Sequence, residues 1–236
     1  MASGLSSIYK KLYLRFGPQH WWPGESPFEV VVGAILTQNT SWHNVEKAIN
    51  NLKQAGALSP RELYRISRRR LASLIRPAGY FNLKAKRLKS FLDVLCGSYK
   101  GDLKQMFRTD TLRLRQTLLG INGIGPETAD SILLYAAARP VFVVDAYTRR
   151  IFLRHGLVKE SDSYGQIQDL FISRLKRNSG VFNEYHALLV RLGKEVCTKN
   201  NPKCGTCPLK CGHYASGKRH PAREKKPSPY LKIKEQ

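Results

Sequence analysis

The sequence predicts an all-α protein on three observations. Apolar residues recur at helical spacing in one segment after another. Only Val141 to Val144 reads as extended, and four residues without a partner strand make no sheet. No segment repeats at a fixed period. In chain order, the short unbroken run Val30 to Leu36 suits a buried helix better than a lone strand. Val45, Ala48, Ile49 and Leu52 fall at i, i+3, i+4 and i+7 and define an amphipathic helix. One further helix is expected over Leu63, Ile66, Leu71, Leu74 and Ile75. Pro77 closes it, because the residue before a proline avoids the helical region. Leu88, Phe91, Leu92 and Leu95 repeat the helical pattern, as do Ala129, Ile132, Leu133 and Ala136. Ile151, Phe152 and Leu153 continue a helix opened at Asp145 and ended by Gly156. The total is about ten helices with short polar connectors.

Composition narrows the function classes. The 236 residues make one large domain or two small ones, with a core that needs no disulfide staples. Lys and Arg number 40 against 17 Asp and Glu, a formal charge of +23 with a pI near 10.1. A hydrophobic fraction of 42% argues for a folded chain rather than a disordered basic tail. No apolar run approaches the roughly 18–20 residues that span a bilayer. The opening residues lack the charged and apolar regions of a secretory signal. A membrane protein, a secreted disulfide scaffold and an acidic binding protein are excluded, and the expected partner of so cationic a chain is a polyanion. Residues 215–236 read as a flexible basic tail, with seven Lys or Arg against two Glu and Pro221, Pro227 and Pro229 as interruptions.

Leu118 to Ala129, LLGINGIGPETA, separates two helical patterns. Gly120, Gly123 and Gly125 allow positive φ or close backbone approach, and Pro126 suits the first helical position. Ile121 and Ile124 pin the turn to the core. The N–H groups of Gly123 and Gly125 are then left at a helix N-terminus, where they can hold a phosphate without reading a base. Arg76, Lys84, Lys86, Arg87 and Arg149 are further candidates for phosphate contact.

Asp145 follows at the end of the apolar run. It reads either as an N-cap or as a carboxylate facing a sugar C1′, where it would stabilise an oxocarbenium-like transition state or orient water. Trp21, Trp22 and Trp42 are the only tryptophans. They read as core, or as flat walls for a base turned out of the duplex. Cys197, Cys204, Cys207 and Cys211 form C-x6-C-x2-C-x3-C, with Cys96 apart. Four thiolates in so short a loop suit an iron–sulfur cube better than a zinc module, whose paired cysteines usually stand a dozen or more residues apart. Lys199, Lys203 and Lys210 would face phosphates from this loop, and His186 reads as a packed core histidine rather than a ligand.

From about Trp21 to Cys211 the chain resembles the endonuclease III superfamily of helix-hairpin-helix DNA glycosylases. The resemblance implies two helical lobes, with a helix-hairpin-helix motif over about 112–138 and a C-terminal iron–sulfur loop. The expected division is a central bundle, 25–139, and a second helical domain, 1–24 plus 140–214, carrying the cysteine loop 197–211. Asp145 is implied to be the catalytic carboxylate. Bifunctional members carry a lysine nucleophile eighteen residues before that aspartate, and here the position holds Glu127. A glutamate forms no Schiff base, so a monofunctional enzyme without lyase activity is expected. The superfamily cysteine pattern, C-x6-C-x2-C-x5-C, binds a [4Fe–4S] cluster, and the last spacing here is two residues shorter.

Trp21-Trp22-Pro23, the LTQNT element with Trp42 behind it, and RPAGYFNLKAKR are similar to the bacterial 3-methyladenine DNA glycosylase branch. In that branch Trp21, Trp22, Pro23 and Trp42 would line the base pocket. Gln38 matches the residue that fills the gap left by the flipped nucleotide. The implied partner is double-stranded DNA containing a damaged base, met by a monomeric, cytoplasmic, nucleoid-associated enzyme that excises alkylated purines. Two alternatives stand beside it. One is a glycosylase of the same fold for another lesion, either an oxidised pyrimidine with lyase activity or a uracil or thymine mismatch. The other is a non-catalytic DNA-binding protein.

Overall fold

The computed structural model describes residues 2–21 and 24–210. Trp22, Pro23, Cys211 and the tail 215–236 lie outside the described residues. Among those described, twelve α-helices and no strand occur, as an all-α reading requires. Buried apolar side chains gather into two clusters. The first is built by α2 (Pro27–Leu36), α3 (Trp42–Gln54), α4 (Pro60–Arg65), α5 (Arg68–Leu74), α6 (Phe81–Tyr99), α7 (Leu103–Phe107), α8 (Thr111–Leu119) and α9 (Pro126–Ser131). The second is built by α1 (Ala2–Phe16), α10 (Ala146–Arg154), α11 (Tyr164–Ile172) and α12 (Ser179–Glu195).

Local chemistry explains most of the boundaries. Ser26 and Ser59 each cap a helix whose first residue is proline, accepting from Glu29 N and Glu62 N at 3.2 Å. α2 is buried along nearly its whole length, as its unbroken apolar run implies. The helix expected over 63–75 is instead two. Ile66 is extended, and the Ser67 hydroxyl accepts from Arg70 N at 3.2 Å, so a capping serine restarts the chain as α5. The apolar spacing survives the break, with Leu63, Leu71 and Ile75 all buried.

Two segments join the clusters. After α9 the chain widens into a π-turn, Ile132–Ala136, whose Ile132 and Leu133 face the first core while Leu134 faces the second. Val141 to Val144 then runs buried and outside any helix, with Val141 in the first core and Phe142 to Val144 in the second. Phe142 stacks on Phe171 at 3.6 Å between ring centroids, and burial of such a side chain stabilises by about 1.5–3 kcal/mol. This apolar run delivers Asp145 to the boundary between the two cores.

Candidate active site

The hairpin turn is anchored from beneath by Ile121 and Ile124, both buried. Of its three glycines only Gly123 is left-handed, with φ +88°; Gly120 and Gly125 have φ −71° and −91°. A Cβ at Gly123 would run into the Arg87 side chain, so conformation and space both require glycine there. Pro126 opens α9 as expected. Among the described residues nothing accepts from the Gly123 or Gly125 N–H. These amides border an open groove lined by the turn, Gln38, Arg87 and Tyr164.

The groove adjoins a smaller cavity of about 190 Å³. Gln38, Glu127 and Thr128 line both and form the wall between them. Gln38 Nε2 donates to Gly123 O at 3.2 Å and to Thr128 Oγ1 at 2.9 Å, while Arg87 donates to its Oε1. Trp21 and Trp42 line the cavity, with the Lys194 ammonium 5.6 Å from the Trp21 ring centroid.

Asp145 caps a helix, as one of its two readings requires, and also lines the cavity. Its Oδ1 caps α10 by accepting from Thr148 N at 2.7 Å, while its Oδ2 lies 3.6 Å from His186 Nε2. Burial opposes the charged form of Asp145, but the His186 charge and the Thr148 bond outweigh it and hold the carboxyl below its usual range. His186 is buried, as a core histidine should be, yet it lines the cavity. Its Nδ1 is bonded to the Tyr135 hydroxyl, and burial, then the Asp145 charge, push that phenol well above its ordinary pKa. Sequence reasoning missed this role. The available signal was the four-residue step His186, Val190, Lys194, three cavity-lining residues on one face of α12.

Glu127, in the first turn of α9, keeps contact with solvent at the cavity mouth. The protein around it raises its pKa, the Asp145 charge adds to that, and His186 opposes. Asp130, also missed, is wholly buried. It accepts from Arg115 at 2.7 and 3.1 Å, from Tyr164 Oη at 2.8 Å and from Gln168 Nε2 at 2.8 Å, tying the hairpin to α11.

Three of the five cations expected at phosphates are committed elsewhere. Lys84 is buried and donates to Leu36 O at 2.8 Å and Ala78 O at 2.7 Å. Burial, then the nearby Arg87 charge, lower its pKa to about 8. It is a clamp on the end of α2 and no phosphate contact. Arg149, expected at DNA, spends its guanidinium on Asp162 O at 2.8 Å and Glu160 O at 2.7 Å. Arg87 lies along the groove but is engaged with Gln38. Arg76 and Lys86 remain exposed.

Cys197, Cys204 and Cys207 line one small recess beside Arg154 and His155. Cys197 and Cys207 are buried, and Arg154 donates to Cys197 Sγ at 3.3 Å. Burial raises the Cys207 thiol, and its two cysteine neighbours add to that. Three sulfurs around one recess, with a guanidinium at one of them, are the donor chemistry of a thiolate-held cluster. As placed, no group of three His, Cys, Asp or Glu among the described residues closes on a metal ion. Lys199, Lys203 and Lys210 are exposed on this loop. No described helix is long and apolar enough to cross a membrane.

Bare backbone amides along a groove, opening onto a carboxylate between aromatic walls, are what an enzyme needs to grip a duplex and work on one extruded base. That class is the DNA glycosylases. The chain belongs to the HhH-GPD superfamily of base excision DNA repair proteins, whose profile matches residues 32–177, and it is a DNA-binding glycosylase of that family. It is 51% identical over 205 residues to a Methanocaldococcus jannaschii protein provisionally named a DNA repair glycosylase, covering 86% of this chain and 92% of that one. Endonuclease III of Sulfolobus acidocaldarius is 29% identical over 190 residues, 79% of this chain and 82% of that one. H. pylori 3-methyladenine DNA glycosylase bound to 1,N6-ethenoadenine superposes with a TM-score of 0.69 at 29% identity, covering 82% and 95%. A non-covalent endonuclease III–DNA complex shares the fold, with a TM-score of 0.80 at 20% identity and coverage of 92% and 98%.

Proposed function

We propose that this glycosylase excises alkylated purines such as 3-methyladenine by hydrolysis alone, acting as a monomer on double-stranded DNA and leaving the strand uncut. The observation that carries the reading is Glu127 at the mouth of the cavity floored by Asp145, where a nucleophilic amine would be needed for lyase chemistry. Trp21 and Trp42, which line the cavity, support a flat heterocycle as guest. Asp145, held ionised, offsets the charge that develops on the sugar as the glycosidic bond breaks. Gly123 and Gly125 grip phosphate, and Gln38, at the boundary of groove and cavity, takes the space the extruded nucleotide leaves. Cys197, Cys204, Cys207 and Cys211 would hold a [4Fe–4S] cluster, whose contribution when bound is structural. Arg150 and Arg154 support that assignment by tying the loop to α10 through Cys197 O at 2.9 Å and Thr198 O at 2.7 Å.

The test uses methylated duplex DNA, scoring base release and strand cleavage separately. Free 3-methyladenine with intact strands and no borohydride-trapped adduct is the expected result; cleavage with an adduct overturns the monofunctional reading. One feature favours a second reading, a bifunctional enzyme: Lys194 brings an amine to the cavity wall. An adduct that disappears in Lys194→Met would establish it.

A further inference from the structure

Glu127 and Asp145 are the only two carboxylates lining the cavity among the described residues, and their situations differ. Both oxygens of Asp145 are engaged, one by Thr148 N–H at 2.7 Å and the other by His186 at 3.6 Å. His186 lies behind Asp145, its Nε2 3.6 Å from Asp145 Oδ2 and its Nδ1 bonded to the Tyr135 hydroxyl. Glu127 makes no ion pair among the described residues and stands on the wall that a base entering from the groove must pass. The other titratable groups lining the cavity and groove are Asp145, which caps α10, Tyr147 from α10, His186 and Lys194 from α12, Arg87 from α6 and Tyr164 from α11. The cation-binding face of Trp21 already carries the Lys194 ammonium, so this aromatic wall is not reserved for a positively charged base.

We infer that Glu127 is the proton donor to the departing base, and that the substrate class therefore includes neutral purine adducts, which must be protonated to leave, as well as cationic ones. The inference rests on the glycosylase reading above and deepens it. Two carboxyls in one site whose pKa values are pushed apart are a recurrent acid–base arrangement, and burial raises that of Glu127 while the one of Asp145 is lowered, which agrees with the geometry. In the step, the C1′–N9 bond breaks and its electron pair passes to the purine. The Glu127 carboxyl proton goes to a ring nitrogen of that purine. A water oxygen bonds to C1′ opposite Asp145, and the proton it sheds restores the Glu127 carboxyl. The sum is hydrolysis, with free base and a sugar hydroxyl as products. A cationic 7-methylguanine needs no such proton.

The experiment measures single-turnover release of 1,N6-ethenoadenine and of 7-methylguanine from matched duplexes over about pH 5 to 9, for the full chain and for Glu127→Gln. The expected loss in Glu127→Gln is about 100-fold or more on ethenoadenine and under about tenfold on 7-methylguanine. On the neutral adduct the unsubstituted protein should slow as pH rises through the Glu127 pKa, and the variant should lose that limb. Equal losses on both bases would overturn the inference and leave the glycosylase reading standing, and the 7-methylguanine arm guards against misfolding of the variant. A neutral-adduct rate that climbs with pH would instead make Glu127 a base. Release of the cationic base alone also refutes the inference, and so does release of neither, with release of 3-methyladenine from the same preparation deciding whether the reading beneath it stands.

Discussion

The groove along the hairpin and the cavity beside it share three residues and almost nothing else. The groove is open, and what it presents is backbone: the amides of Gly123 and Gly125 on a turn that only glycine can make. The cavity is smaller and presents side chains whose ionisation is set by one another, Asp145 through His186 and Glu127 through Asp145. A surface of backbone amides grips any sequence and fixes register, whereas a site of coupled side chains discriminates among guests. On the proposed function, the comparison teaches that affinity for DNA and choice of lesion are separable, with Gln38, Glu127 and Thr128 between them.

Substitutions can break or sharpen that separation. Asp145→Asn should lower base release about 1,000-fold with duplex affinity nearly unchanged, measured by single-turnover kinetics beside fluorescence anisotropy. Parallel losses in both would merge the two regions into one. Lys84→Ala should impair both together, because the carbonyls of Leu36, at the end of α2, and of Ala78 lose their buried donor. Its expected cost is about 2–4 kcal/mol, read from denaturant unfolding. Gly123→Ala should weaken binding to undamaged duplex about tenfold, from a positive-φ strain of about 1–2 kcal/mol, while the rate at saturating enzyme holds. Lys86→Ala, on an exposed cation, should change affinity least and lower the salt dependence of binding by about one ion, checked by titration at several salt concentrations.

The groove was far more legible in the sequence than the cavity. Turn chemistry is local, so glycines, Pro126 and two isoleucines announce the hairpin from adjacent positions. Asp145 was legible for the same reason, since capping is decided within one helical turn. What sequence reading missed was tertiary. His186 looked like any core histidine because its partners, Tyr135 and Asp145, lie far away in the chain. Asp130 lies in the hairpin motif, but two of its three donors, Tyr164 and Gln168, come from α11, far along the chain. Lys84 was misread because a lysine in a basic stretch ordinarily belongs to solvent, and only folding supplies the two carbonyls that make its burial tolerable. Arg149 was misread in the same way. The helix over 63–75 failed on a local cue that was present, since Ser67 is a good cap in the middle of an otherwise continuous apolar pattern.

Asp145 starts a helix and lines the cavity with the same carboxylate, to which the proposed function gives the chemistry. Chance replacement at that position is therefore tested twice in any lineage, once by whether α10 begins where it should and once by whether damaged genomes are mended. On the proposed function, asparagine would pass the first test and fail the second. Descendants that lose the activity through Asp145→Asn can keep an intact fold, available for recruitment as a sensor that finds lesions and leaves them in place.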